Sequence, residues 1–307
     1  MTRPQAEDGF NPKPGEAETL LPGVRRLLAP NPSPMTYLGT NTYLVGTKDI
    51  AVIDPGPQNA THLEAIMAAL APDQRISHIL VTHSHLDHSP LAADLKARTG
   101  APINAFGAPE AGRSPIMQQL AEAGLAGGGE GIDHAFRCDH ALADGDQVVG
   151  SDWTLVAHHT PGHIGNHLCF ALGDVLFSGD HIMGWASSLV SPPDGDLTDF
   201  MASCRALLRH DWSLLLPGHG APVTQAAERI RWLLTHREQR EGEILAALTR
   251  APSSPDALAR IIYTEVAPAL LPAATRNVFA HLVDLYQRKL VVPEGLLSAQ
   301  AVFHLAE

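Results

Sequence analysis

The stretch "ILVTHSHLDHSP", residues 79–90, places three histidines and an aspartate within six residues, straight behind a run of apolar side chains. "ISHILVTH" reads as a strand, and in extended chain residues i and i+2 point the same way, so His83 and His85 present two imidazoles to one metal. The chain must then turn, which aims Asp87 and His88 at a second position close by. Hard carboxylate oxygen beside imidazole nitrogen suits zinc, with iron or manganese as alternatives. Behind the turn, "SPLAADLKARTG" reads as a helix with Ser89 as N-cap, Pro90 at the first helical position and Gly100 just past its end.

Outward from this stretch the pattern alternates. "NTYLVG" and "DIAVIDPG" read as neighbouring strands closed by a Pro-Gly turn, and "ATHLEAIMAALAP" has apolar residues at helical spacing, stopped by Pro72. Further on, "WTLVAHHT", "HLCFAL", "VLFSGD" and "SLLLPGHG" read as strands, with a helix from Asp196 to His210. "HLCFALGDVLFSGD" is a hairpin with a Gly-Asp turn, so the class is α/β with much antiparallel strand. From Gln225 the pattern is wholly helical, through "QAAERIRWLLTHREQREGEILAAL", "PDALARIIYTEV" and "ATRNVFAHLVDLYQRKLVV", ending in a short strand. We therefore expect a flexible segment over 1–20, a catalytic domain over 21–224, and a small helix-turn-helix-like appendage over 225–307. Between Gly107 and Cys138 a Gly-rich interruption, too flexible in composition to be core, reads as a surface loop or, more sharply, an active-site lid.

Composition narrows the function classes. With 45% apolar and 18% charged residues in 307, the chain can bury a core and is not disordered. The first twenty residues hold no apolar run able to serve as a signal-peptide core and no later segment approaches a membrane span, so a cytoplasmic protein without membrane partners is expected. Three cysteines, Cys138, Cys169 and Cys204, far apart and without CxxC, signal neither disulfides nor a thiolate zinc site. The net charge of -12 gives no footprint for nucleic acid. All of that excess lies in residues 1–224, with 12 Lys/Arg against 24 Asp/Glu, and so do 14 of the 17 histidines. A domain rich in carboxylate and imidazole is a home for divalent cations.

Further donors follow strand-like runs at three later places: His163 in "HHTPGHIGNH", Asp180 in "LFSGDH" and His219 in "LLLPGHG". Each has glycine within two residues, which permits the close backbone approach that a crowded metal pocket requires. Strand ends are where α/β folds commonly place their sites, so these donors can converge with the first group, and a shared carboxylate can bridge two cations.

In their order along the chain, HSHLDH, PGH, SGD and PGHG resemble the motifs of the metallo-β-lactamase-fold hydrolases. That resemblance implies an αββα sandwich with the site at one edge. It implies that His83, His85 and His163 hold one Zn2+, that Asp87, His88 and His219 hold a second, and that Asp180 bridges. Asp180 stands where the zinc β-lactamases usually carry cysteine, which argues against an antibiotic substrate. Within the family the chain looks most like the β-lactamase-like-protein-2 group, because "TPGH", "FSGD" and "THREQREGEIL" continue into a winged-helix-like tail, and it shares glyoxalase-II-like metal ligands.

The expected activity is binuclear, zinc-dependent hydrolysis of an ester-type bond, with a metal-bridging hydroxide as nucleophile and Asp87 and Asp180 as catalytic residues. A small-molecule acyl ester or thioester is favoured. The glutathione-specific enzymes of the family carry a basic C-terminal pocket motif that is absent here. The alternatives are an endoribonuclease on single-stranded RNA, which some members of the closer group resemble, and a non-enzymatic metal-binding sensor. The loop "GWASSLVSPPDGDL" follows Asp180 directly, making Trp185, Ser187 and Ser188 candidate substrate contacts. His167 and His181 are candidate supports for the ligands. The balanced charge of the tail points to packing or to a homodimer rather than to DNA.

Overall fold

Seven strands pair in chain order to form the first sheet: β1 (Glu18–Leu21), β2 (Val24–Leu28), β3 (Asn41–Val45), β4 (Asp49–Ile53), β5 (Arg75–Leu80), β6 (Ile103–Ala105) and β7 (His140–Ala141). The pairs from β1 to β4 are antiparallel and those from β4 to β7 parallel. The second sheet joins β8 (Gln147–Val149), β9 (Thr154–His159), β10 (Leu168–Leu172), β11 (Val175–Gly179) and β12 (Leu214–Pro217) in the order β12-β11-β10-β9-β8. As the Gly-Asp turn requires, β10 and β11 are an antiparallel hairpin, whereas β11 and β12 run parallel. This computed structural model describes residues 9–129 and 131–306. Of the segment expected to be flexible, residues 1–8 lie outside that range, and 18–20 belong to β1.

Alternation along the strands builds the layers. Tyr43, Ile53 and Leu80 of the first sheet pack on Leu155, Phe170 and Phe177 of the second, and this is the inter-sheet core. Opposite side chains Leu44, Val52 and Ile79 instead face α1 (Ala60–Ala68) and α2 (Leu91–Thr99), meeting Ile66 and Leu95. On the other side Leu176 and Leu215 face α4 (Leu197–Leu207) and the first half of α5 (Ala226–Leu248), meeting Phe200, Ile230 and Leu233. The result is an αββα sandwich. Burial on both faces explains why β3 and β11 hold no exposed residue.

The second half of α5 leaves the sandwich, and its Ile244 and Leu248 enter a separate core with α6 (Pro255–Ile262), α7 (Leu271–Gln287) and the antiparallel pair β13 (Val291–Pro293) and β14 (Phe303–Leu305). Helices followed by a two-stranded wing make this a winged-helix domain. The strand at 303–305 is an element that the helical reading of the tail did not anticipate.

Two local expectations need correction. The 107–138 interruption contains a helix, α3 (Pro115–Glu122), whose Met117 and Leu120 are buried in the core of the appendage. Its far end is tied to the metal loop by Leu86 N–H to Gly131 O (3.0 Å) and Asp133 N–H to Ser84 O (2.8 Å). Most of the segment stays at the surface, as expected of a loop, but α3 and these bonds tie it to the appendage and to the metal loop. At α2 the cap residue is Pro90, and Ser89 caps nothing: its hydroxyl donates to Asp133 Oδ2 (2.9 Å).

Candidate metal centre

β5 ends at Leu80, so His83 and His85 lie in the loop past the strand rather than on it. They still converge. His83 Nε2 and His163 Nε2 each lie 3.0 Å from His85 Nδ1. A second group forms alongside: His219 Nε2 is 3.1 Å from Asp87 Oδ2, 3.3 Å from Asp180 Oδ2 and 3.3 Å from His88 Nε2. Asp180 stands between the groups, since its Oδ2 is also 3.8 Å from His163 Nε2. All seven residues are buried, and within each group the donor atoms lie inside 4.8 Å of one another.

Partners on the far side of each ring fix the tautomers. His163 Nδ1–H donates to Leu189 O (2.7 Å), His219 Nδ1–H to Gly39 O (3.1 Å) and His88 Nδ1–H to Asp54 Oδ2 (2.9 Å). His83 Nδ1–H donates to Thr82 Oγ1 (2.9 Å), whose own hydroxyl donates to Asp54 Oδ2 (2.7 Å). With the outward nitrogens so engaged, the inward nitrogens of these rings are the ones turned toward a metal, which would take the place of a proton there.

Lone pairs and carboxylates so placed repel unless positive charge lies between them. Burial pulls His83, His85 and His163 below the usual imidazole range, His85 to about 3. In the second group burial opposes charge but the carboxylates outweigh it, with Asp87 and then Asp180 raising His88 and Asp180 raising His219 to about 10. Conversely, His88 holds Asp87, and His219 holds Asp180, below the usual carboxylate range against the effect of burial. The second group is thus a locus of stabilised positive charge. Both oxygens of Asp87 and Oδ1 of Asp180 are buried without a hydrogen bond. Neighbouring donor atoms sit 3.0–3.4 Å apart, close to the edge of about 3.3 Å of a tetrahedron with metal–nitrogen bonds of 2.0–2.1 Å. A pair of divalent cations fits this donor set.

Glycine is required at 218, where a Cβ would overlap Asp180 Oδ1 and lie 2.7 Å from His88 Cε1. The loop carrying His219 is braced from β3, for Asn41 Nδ2 donates to Pro217 O and Gly220 O (both 2.9 Å) and Tyr43 OH to Pro217 O (2.7 Å). Asn41, Tyr43 and Asp54 are site residues that the sequence reading did not single out. Their only signal is position, at the start of "NTYLVG" and at the end of "DIAVIDPG".

Of the remaining expected residues, Trp185 and Ser187 line the cavity above the donors, and Trp185 Nε1 is buried without a partner. Ser188 does not reach it. That residue is buried in the wall, where its hydroxyl faces Asp180 O (2.5 Å) and His181 O (2.9 Å). His167 Nε2 accepts the Asp180 N–H (3.2 Å) and so touches a donor's backbone. His181 instead packs on Phe200 at 4.6 Å and contacts Cys204 Sγ (3.6 Å), away from the donors. The loop holding Ser188 and Leu189 is clasped by the helices: Arg237 Nη2 donates to Ser188 O, and Asn277 Oδ1 accepts from Arg237 Nη1 and from Val190 N–H (both 3.1 Å). Arg229 donates to Met183 O (2.6 Å) and Ala186 O (2.7 Å).

Among the described residues no helix is long and apolar enough to cross a membrane. Residues 35–219 match the family described as metallo-beta-lactamase superfamily, and residues 254–298 match the beta-lactamase associated winged helix domain. An atrochrysone carboxyl ACP thioesterase of Aspergillus fumigatus is 32% identical over 239 residues, covering 76% of this chain and 67% of that one. A beta-lactamase-like protein 2 homolog of Drosophila melanogaster is 29% identical over 277 residues, covering 87% of this chain and 88% of that one. The crystal structure of a beta-lactamase domain protein from Burkholderia ambifaria superposes with a TM-score of 0.79 at 22% identity, over 97% of this chain and 96% of that one. The chain belongs to the metallo-beta-lactamase superfamily and, with its paired His/Asp donor groups and winged-helix domain, is a metal-dependent hydrolase of that superfamily.

Proposed function

We propose that this protein hydrolyses acyl thioesters with a pair of zinc ions. The observation that carries the proposal is the meeting of the two donor groups at Asp180 on the floor of a largely apolar cavity of about 530 Å³. His83, His85 and His163 would hold one ion, Asp87, His88 and His219 the other, and Asp180 both. When bound, the pair supplies Lewis acidity to the scissile carbonyl and lowers the pKa of a water toward neutrality. Asp87, with both oxygens buried at the meeting of the groups, would orient that water. His167 holds the backbone of Asp180, and Leu189 O holds the ring of His163, which keeps these groups in register.

Thioester is favoured over an RNA phosphodiester by the wall chemistry. RNA binding needs a track of cations free to meet phosphates. Here the two arginines of α5 on the cavity are engaged, Arg229 with backbone carbonyls and Arg240 with Glu243 (2.6 Å), and the net charge is -12. The thioesterase relative agrees with this choice.

The test is elemental analysis together with hydrolysis of acyl thioesters and labelled single-stranded RNA, with and without chelator. About two equivalents of metal per chain are expected, with thioesterase activity that chelator abolishes and zinc restores. Asp180→Asn should lower it by at least about 100-fold. Near-zero metal, or full thioesterase activity in Asp180→Asn, overturns the proposal, and chelator-sensitive RNA cleavage alone transfers it to the phosphodiester.

A further inference from the structure

The cavity over the donors has two unlike walls. One comes from the sandwich, chiefly the loop that carries Met183, Trp185 and Leu189, with Pro34 and Met35 beside it. The other comes entirely from the appendage, where Val266, Leu270, Ala273 and Ala274 lead up to and begin α7. The floor is polar and is committed to the seven donors. Above it the lining is mainly aliphatic and aromatic. The charged groups that remain are turned to other work or lie at the rim: Arg240 pairs with Glu243 and lies over the Tyr263 ring at 4.7 Å, and Glu265 is exposed. Burial, with the Arg237 charge adding to it, pulls His236 down to about 4, so that side chain is neutral at working pH.

Apolar walls in contact with a polar reacting floor describe a ligand with a polar head to be cleaved and an apolar body. A volume of about 530 Å³ is ordinary for a whole small-molecule site, and far more than an acetyl group fills. Small side chains at Ala273 and Ala274 leave room where a helix would otherwise close the space. Resting on the thioester reading above, we propose that the winged-helix appendage is the acyl-specificity wall, and that the protein selects medium- and long-chain apolar acyl groups that lie against Val266, Leu270 and Ala273.

Chain length tests this. Each methylene moved from water to an apolar wall is worth about a fourfold gain, so kcat/KM for thioesters of one thiol should climb about fourfold per methylene from acetyl until the cavity is full. Ala273→Phe should lower the ratio of octanoyl- to acetyl-thioester kcat/KM at least about tenfold. A second readout needs no substitution, for carboxylic acid products should inhibit more tightly with each added methylene. A chelator-sensitive thioesterase with a flat chain-length profile sinks the specificity wall and spares the thioester reading. No thioester hydrolysis at any length sinks the thioester reading, and chain-length-dependent thermal stabilisation by carboxylic acids then decides the cavity on its own: a rising series upholds it and a flat one removes it. Equal loss on acetyl and octanoyl substrates in Ala273→Phe also overturns the wall.

Discussion

Asp54 shows how much one residue outside the donor set controls. Its backbone sits at φ 50°, in the left-handed region that disfavours a side chain, and its carboxylate accepts from Thr82 N–H (2.7 Å), Thr82 Oγ1–H (2.7 Å) and His88 Nδ1–H (2.9 Å). Through Thr82 it also fixes His83, so one buried carboxylate sets a ring in each donor group. Asp54→Asn keeps the size but loses the charge and one acceptor oxygen. We expect metal affinity to fall about 10- to 100-fold, measured by chelator competition, with the far-UV CD unchanged. Equal affinity in the variant would mean that the rings are held by packing alone. In the sequence "IDPG" reads as a turn and nothing more, because the residues it serves are 28 and 34 positions away. The members of the two donor groups stood out for the opposite reason: four fall within one run of six residues, and the other three each follow a strand-like run beside a glycine, so the chemistry can be read locally.

α5 is the element with the largest gap between what periodicity predicts and what packing does with it. Its 3.6-residue pattern announces a helix, and an arginine in it reads as part of a solvated face. Arg237 is instead buried, and among the described residues no carboxylate pairs with it. Its guanidinium forks between Ser188 O and Asn277 Oδ1, holding the loop whose Leu189 carbonyl orients His163 and whose Ser188 hydroxyl reaches the Asp180 backbone. Arg237→Met retains the buried stem and drops both bonds. Metal affinity should fall about tenfold or more while the helix content stays, and Arg237→Lys should not restore it, since one ammonium cannot reproduce the fork. Undiminished affinity in both variants would remove the clasp from the site. α3 was missed for a related reason. Its apolar residues are few, glycines follow it, and the surface that buries Met117 and Leu120 comes from the far end of the chain.

At the scale of the whole molecule, alternating strands and helices made the α/β class readable. The layering needed the resemblance, because periodicity tells which face is apolar but not which element covers it. The same packing that buries the faces buries imidazoles, and this gives the protein a pH dependence separate from its metal centre. His62 on α1 is 1% exposed, donates from Nε2 to Thr42 Oγ1 (2.8 Å), and is pushed by burial from the ordinary 6.5 down to about 4. Burial likewise lowers His181 to about 3. A depressed imidazole pKa means that the unfolded chain binds the proton more readily. The stabilisation is complete above pH 6.5 and is lost as pH falls toward 4, with the slope set by the proton difference. For His62 the loss amounts to roughly 3 kcal/mol across that window. His62→Gln keeps a donor for Thr42 and cannot titrate. Denaturant unfolding at pH 7.5 and pH 4.5 should therefore show a smaller loss of stability in the variant than in the parent. Equal losses would place the acid sensitivity elsewhere, in the donor groups themselves.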